Sequence, residues 1–231
     1  MEITVSNEII IQDPSSEILR YCDNHLVIEN PEFFKKQRMG FWVGNTPKYI
    51  YLYRRDSNKL FLPVGCISEL DKVIPANTKY NMDFSENPDV NYNCKIPLYD
   101  YQEKALESVL TNYFGILQAP CGSGKTQIGI SLAVDLHKKT LWLTHTRDLL
   151  VQSYERAAQY IDKSLLGTIT GGKVNISEGI TFATVQTISK LDLSQYKHTW
   201  DVVIVDECHR AAGTPTSLTM FSKVINSLAA L

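Results

Sequence analysis

Residues 119–126 read Ala-Pro-Cys-Gly-Ser-Gly-Lys-Thr and lie between the apolar run Gly115-Ile116-Leu117 and the helical run Ile128-Gly129-Ile130-Ser131-Leu132-Ala133. A strand, a glycine turn and a helix in that order suit an anion. Gly122 and Gly124 let the backbone curl until successive N–H groups point at phosphate oxygens, and the helix adds its positive end. Ala119, Pro120, Cys121 and Ser123 complete the cradle. Lys125 is placed to neutralise β and γ phosphates, and the Thr126 hydroxyl to ligate Mg2+. The strict pattern has glycine where Ala119 stands, and the octapeptide alone also reads as a glycine turn with an incidental lysine. Cys121 reads as a small spacer rather than a nucleophile.

A second group of reactive side chains closes the run Asp201-Val202-Val203-Ile204-Val205-Asp206-Glu207, an apolar strand ending in two carboxylates. If that end shares a sheet edge with the phosphate loop, Asp206 holds the metal through water. Glu207 then takes a proton from an in-line water at the γ-phosphate as general base. A solvated Asp-Glu pair at a strand end is common by itself, but each motif here predicts the other. The ligands that fit both are ATP and Mg2+.

The elements that must carry these groups alternate strand and helix after residue 97. Strands are expected at 115–118, 140–144, 180–183 and 201–205, and helices at 125–136, 148–160 and from about Ser217. That order gives an α/β domain with a parallel sheet and helices on both faces, and the glycine motif at 119–126 makes a P-loop NTPase fold the expectation. Residues 76–96 break every periodicity with Pro, Asn and Asp and read as a linker between domains at 1–75 and 97–231. Before it, 48–55 and 59–64 flank the turn-like Asp56-Ser57-Asn58 as a β-hairpin in a small α+β domain.

With 231 residues, 44% hydrophobic and 21% charged, the chain has enough apolar material for one or two cores. A net charge of −2 excludes a uniformly basic nucleic-acid binder, so any such contact must come from a local patch or backbone amides. One candidate patch lies in 33–61, where Lys35, Lys36, Arg38, Lys48, Arg54, Arg55 and Lys59 face one acid, Asp56. They are interleaved with Phe33, Phe34, Phe41, Trp42, Tyr49, Tyr51 and Tyr53. The mixture suits stacking on bases and gripping phosphates. Equally, a small domain needs about half of those aromatics as core, and edge lysines guard a hairpin against aggregation. Five scattered cysteines with no Cys-x-x-Cys pair fit reduced thiols in the cytoplasm. Cys22 and His25 lack a second ligand pair at zinc spacing. No window reaches the ~20 apolar residues of a membrane span, so no membrane contact is expected.

Asp206-Glu207-Cys208-His209 resembles the DExH box of superfamily 2 helicases. Upstream, Pro97-Leu98-Tyr99-Asp100-Tyr101-Gln102 is similar to the glutamine-bearing segment of that family, which implies that Gln102 reads the adenine edge; a solvated helix-start residue is the alternative. Residues 141–152 resemble the family's motif Ia, implying that Thr146 and Arg147 meet phosphates of a nucleic acid, although Arg147 also reads as plain surface. Gly171-Gly172 and Ala183-Thr184-Val185-Gln186-Thr187 sit where the family places motifs Ib and Ic. The resemblance thereby assigns Gly171, Gly172, Thr184 and Gln186 to a sugar-phosphate chain. His209 is assigned to coupling between nucleotide state and the domain interface, with an ordinary histidine as the alternative.

The resemblance covers 97–231 and is nearest to the type III restriction (ResIII) group, with its XPB-like and UvsW-like helicases. It implies the first RecA-like domain of an ATP-dependent DNA helicase or duplex translocase, partnered by duplex or branched DNA and by a second RecA-like domain. Motif III and that second domain are expected beyond the chain, leaving hydrolysis weak or absent without them. An RNA helicase, a nucleotide-dependent switch without motor activity and the motor subunit of a restriction complex are the alternatives.

Overall fold

Isoleucine, valine and leucine at alternate positions build the first sheet. Ile3 and Val5 in β1 (Glu2–Val5), and Ile9 and Ile11 in β2 (Glu8–Gln12), are buried while their neighbours face outward. The computed structural model describes residues 1–76, 78–112, 114–211, 220–228 and 230. They divide into two units, 1–83 and 84–231. In the first, α1 (Ser16–His25) starts where the Ser15 hydroxyl accepts the Ile18 N–H, and it buries Ile18 and Cys22. There follow β3 (Val27–Glu29), α2 (Pro31–Arg38), β4 (Tyr49–Tyr51), β5 (Arg54–Asp56), β6 (Lys59–Pro63), α3 (Ile67–Leu70) and β7 (Tyr80–Met82). The sheet order is β5-β6-β2-β1-β7, and β3 and β4 form a separate ribbon.

The expected hairpin across 56–58 is present, with Asp56 opposite Lys59 and Ser57 at a φ of 52°. Its first strand is not continuous, however. The Leu52 N–H bonds to the Leu26 carbonyl, so the chain leaves β3 and turns before β5 begins. The core is also not aromatic as expected. Leu60, Leu62 and Leu70 join the isoleucines inside, while Phe41, Trp42, Tyr49 and Tyr51 are exposed. Nor are residues 76–96 a free linker. β7 pairs in parallel with β1, whereas Val90, Tyr92 and Ile96 are buried in the second unit. The Val90 N–H on the His137 carbonyl (2.7 Å) and the Tyr92 hydroxyl on the Lys138 carbonyl (2.9 Å) fasten this irregular stretch.

The second unit contains α4 (Asp100–Leu110), α5 (Lys125–Leu136), β8 (Thr140–Thr144), α6 (Arg147–Ala157), β9 (Leu166–Thr170), β10 (Lys173–Asn175), β11 (Ile180–Thr184), α7 (Val185–Ile188), β12 (Val202–Val205) and α8 (Met220–Asn226). Its sheet runs β10-β9-β11-β8-β12, parallel except for the β9–β10 hairpin. Trp142 and Phe182 pack with Ile130, Ala133 and Val134 of α5 and with Leu150 and Ala157 of α6. On the other face Leu141, Leu143 and Ala183 pack with Val185, Ile188, Trp200, Phe221 and Val224. Strands covered on both faces have no polar side to show, hence Thr-Leu-Trp-Leu-Thr and Ile-Thr-Phe-Ala-Thr. The expected α/β architecture is the one found.

One expected strand is missing. Residues 115–118 join no sheet, and Ile116 is 79% exposed: an apolar run becomes a strand only where a neighbour pairs with it, and none of the described strands does. α8 is described from Met220, and the expected start near Ser217 lies outside the described residues. Among the described residues no helix is long and apolar enough to cross a membrane.

Gly129 lies inside α5 with the Trp142 ring 2.7 Å from where its Cβ would stand. Gly→Ala in an open helix gains about 1 kcal/mol, but overpacking a core costs about 1–3 kcal/mol. Gly129→Ala should therefore lower the urea midpoint of the second unit. A raised midpoint would mean that the indole gives way freely.

Candidate active site

The phosphate-type loop is shaped by two backbone positions. Gly122 and Gly124 have φ of 78° and 76°, the left-handed region that favours glycine. Gly124 is needed for room as well, since a Cβ there would meet Gln102 Nε2 at 2.3 Å. Gln102 is 4% exposed at the start of α4, and its Oε1 accepts the Tyr99 N–H at 2.9 Å. Its Nε2 donates to the Ser123 carbonyl at 3.0 Å, and the Tyr101 hydroxyl donates to the same oxygen at 3.2 Å. Gln102 is thus no solvated helix-start residue. Nor does it present a free edge to a base here, because one end of its carboxamide caps α4 at Tyr99 and the other braces the loop at Ser123. The Lys125 ammonium donates to the Ala119 and Pro120 carbonyls, both at 3.1 Å, and closes the loop on itself. α5 begins at Lys125, so Thr126 and the first-turn N–H groups lie at the helix's positive end.

Asp206 and Glu207 follow β12, and the Asp206 N–H continues the ladder onto the Leu143 carbonyl at 3.0 Å. Burial, and then the charge of Glu207, push the Asp206 carboxyl above the ordinary carboxylate range. The Glu207 N–H, the Lys125 ammonium and His145 pull the other way. Lys125 therefore lies within electrostatic reach of Asp206. Glu207 has a φ of 55°, a left-handed conformation that costs a non-glycine residue about 1–2 kcal/mol. Its Oε2 lies 3.2 Å from Nδ1 of the exposed His209. A hydroxyl at Thr126 and a carboxylate at Asp206 are hard oxygen donors. Such a set suits Mg2+, which keeps waters and takes substrate phosphate oxygens for the rest.

The residues assigned to a nucleic acid stand near the C-terminal ends of β8, β9 and β11, the same sheet edge that carries Asp206. Thr146 caps α6 by accepting the Leu149 N–H at 3.3 Å, and Arg147 is exposed beside it. Gly171 and Gly172, at φ of 59° and 77°, form the two-residue turn of the β9–β10 hairpin. Gln186 is exposed, and its Nε2 donates to the His145 carbonyl at 2.6 Å. Thr184 differs: it is 5% exposed, and its hydroxyl donates to that of Thr187 at 2.9 Å, so it starts α7 and offers a strand no surface.

Three features escaped the sequence reading. Tyr99 and Tyr101 stack at 5.9 Å with exposed faces beside the loop. The half-buried His145 keeps Nδ1 shut from solvent with no hydrogen-bond partner among the described residues. No periodicity marks either. In the first unit, the buried Asn30 holds the loop after α2 by donating to the Pro47 carbonyl at 2.8 Å and to the Lys48 carbonyl at 2.9 Å. That loop presents Phe41 and Trp42, the latter 81% exposed.

Residues 95–230 match the family model described as type III restriction enzyme, res subunit (ResIII). The DNA 3'-5' translocase XPB2 of Sulfurisphaera tokodaii is 33% identical over 115 residues, which cover 50% of this chain and 26% of that protein. A putative ATP-dependent RNA helicase of Acanthamoeba polyphaga mimivirus is 27% identical over 201 residues, covering 80% of this chain and 37% of that one. The chain thus spans only 26% and 37% of the length of these curated relatives. The crystal structure of the UvsW helicase from bacteriophage T4 shares the fold, with a TM-score of 0.67 at 22% identity over 99% of this chain and 89% of that one. The family model takes in the glycine loop, the acidic strand end and the sheet between them, and on that match the chain belongs to the ResIII family of superfamily 2 helicases, of which it carries the first RecA-like domain.

Proposed function

We propose that the chain is the ATP-binding part of an ATP-dependent DNA helicase or duplex translocase. The observation that carries the reading is that Asp206, within electrostatic reach of Lys125, follows β12 at the sheet edge that also presents Thr146, Arg147 and Gln186. ATP would lie with its β and γ phosphates against the loop amides and Lys125, which exchanges its two carbonyl partners for phosphate oxygens. The exposed faces of Tyr99 and Tyr101 would take the adenine, with Gln102 bracing the loop beneath. Thr126 and Asp206 would hold Mg2+, which would supply charge neutralisation at the phosphates. Glu207 would take the proton of the attacking water, and His209, 3.2 Å away, would fix its carboxylate and pass the nucleotide state to a second RecA-like domain. Thr146, Arg147, Gly171, Gly172 and Gln186 would track one nucleic-acid backbone.

The first unit would add a second grip. Lys35 and Lys48 have no acidic partner among the described residues, and Lys48 lies 5.2 Å from the Tyr49 ring centroid, so base-stacking faces and free cations stand together. An RNA substrate is the second reading, favoured by the mimivirus relative's description as a putative RNA helicase.

Lys125→Ala should weaken ATP-Mg2+ binding by about tenfold or more, the value of a charged hydrogen bond, with unchanged circular dichroism; undiminished affinity would remove the loop assignment. Glu207→Gln in the complete gene product should keep ATP affinity and lose about 10²-fold or more in kcat. Steady-state hydrolysis by that product, with single-stranded DNA, duplex or branched DNA, RNA or none, tests the motor itself. Stimulation by DNA is expected, stimulation by RNA alone would favour the second reading, and indifference to all would sink both. Trp42→Ala should weaken DNA binding by about fivefold, from ~1 kcal/mol for one stacked base, and leave ATP affinity unchanged. Equal DNA affinity would remove the first unit from the interface.

A further inference from the structure

His145 occupies a position that neither the loop nor the acidic pair explains. β8 lies between β11 and β12, in register with both, so the chain leaving β8 emerges between the chains leaving its two neighbours. On the β11 side, Gln186 donates to the His145 carbonyl at 2.6 Å. On the β12 side, Val205 pairs with Leu143 and the Asp206 N–H is anchored to the Leu143 carbonyl, two residues before His145, so the strand end that carries Asp206 runs alongside the turn. The turn is held short, because the Thr144 hydroxyl donates to the Thr146 carbonyl at 3.1 Å across His145. Within that turn, His145 Nδ1 is shut from water and unbonded among the described residues. A buried polar atom left so is costly, and it calls for a role that the contacts described above do not supply. Thr146 and Arg147 follow directly in sequence.

We propose that His145 is a positioning residue that couples the nucleic-acid face to the metal-side carboxylate. A strand gripped through Arg147 and Gln186 displaces the main chain of His145, and its ring carries that displacement to Asp206. The path runs from β11 through β8 to β12 and bypasses the phosphate loop. It rests on the motor reading above.

The test is ATP hydrolysis by the complete gene product with and without saturating duplex DNA, for the unsubstituted protein, His145→Ala and His145→Gln. DNA affinity is read in parallel by fluorescence anisotropy. Coupling between sites of ~1 kcal/mol or more predicts that His145→Ala lowers the ratio of stimulated to unstimulated kcat by about fivefold or more. KM for ATP and DNA affinity should hold within about twofold, the change expected when coupling rather than binding is lost. His145→Gln, closer in size and still able to hydrogen-bond, should recover part of the ratio, and it decides the matter if the alanine variant does not fold. An unchanged ratio in the folded variants would overturn this inference alone. So would a fall of both rates by one factor, the mark of a merely structural residue. Absence of stimulation in the unsubstituted protein would overturn the motor reading and this inference with it.

Discussion

The ladder that β8 makes with β11 on one side and β12 on the other holds the second unit's chemistry in place. Parallel strands send all their C-terminal ends to one edge, and the backbone bonds fix which side chains become neighbours there. Thr144 aligns with Thr184, and Val205 with Leu143. These pairings bring Asp206 beside the turn after β8 and set Gln186 on its far side. The ladder in turn depends on burial of both faces: Trp142 and Phe182 face α5 and α6, and Leu141 and Leu143 face α7 and α8. The conspicuous polar residues thus owe their meeting to apolar ones.

The site itself is held less by strong ion pairs than by hydrogen bonds to carbonyls. Gln102 and Tyr101 share the Ser123 carbonyl, Lys125 spans two more, and Gln186 takes that of His145. Gly124 permits this arrangement, because any side chain there would displace the carboxamide that braces the turn.

Much of this was legible because the signals were strong and local. α5 was readable from its glycine start and its length, and β8 and β12 from unbroken apolar runs too short for a helix. What failed depended on partners far along the chain. Residues 115–118 look like a strand by composition, but a strand exists only by pairing, and pattern alone does not supply the pair. The Asn- and Pro-rich stretch of 76–96 has the composition of a tether, yet a few spaced apolar residues, Val90, Tyr92 and Ile96, were enough to dock it. The aromatics of 33–61 were half assigned to a core that alternating isoleucines already filled. Thr184 and Gln186 stand two residues apart in one segment, and only the third dimension shows one turned inward and the other out. His145 lay inside a quoted motif, and its orphaned nitrogen is invisible without coordinates.

The chain's three tryptophans fall in three different environments. Trp142 is buried on the α5 and α6 face of the second sheet, Trp200 on the opposite face beside Tyr196, and Trp42 is open to water in the first unit. The molecule therefore carries its own optical labels. An aqueous quencher reaches Trp42 first, the two buried indoles report each side of the second sheet as it loosens, and single Trp→Phe replacements separate the signals. Loss of one face before the other becomes observable by emission alone, with no dye attached to the exposed Cys121 in the glycine loop.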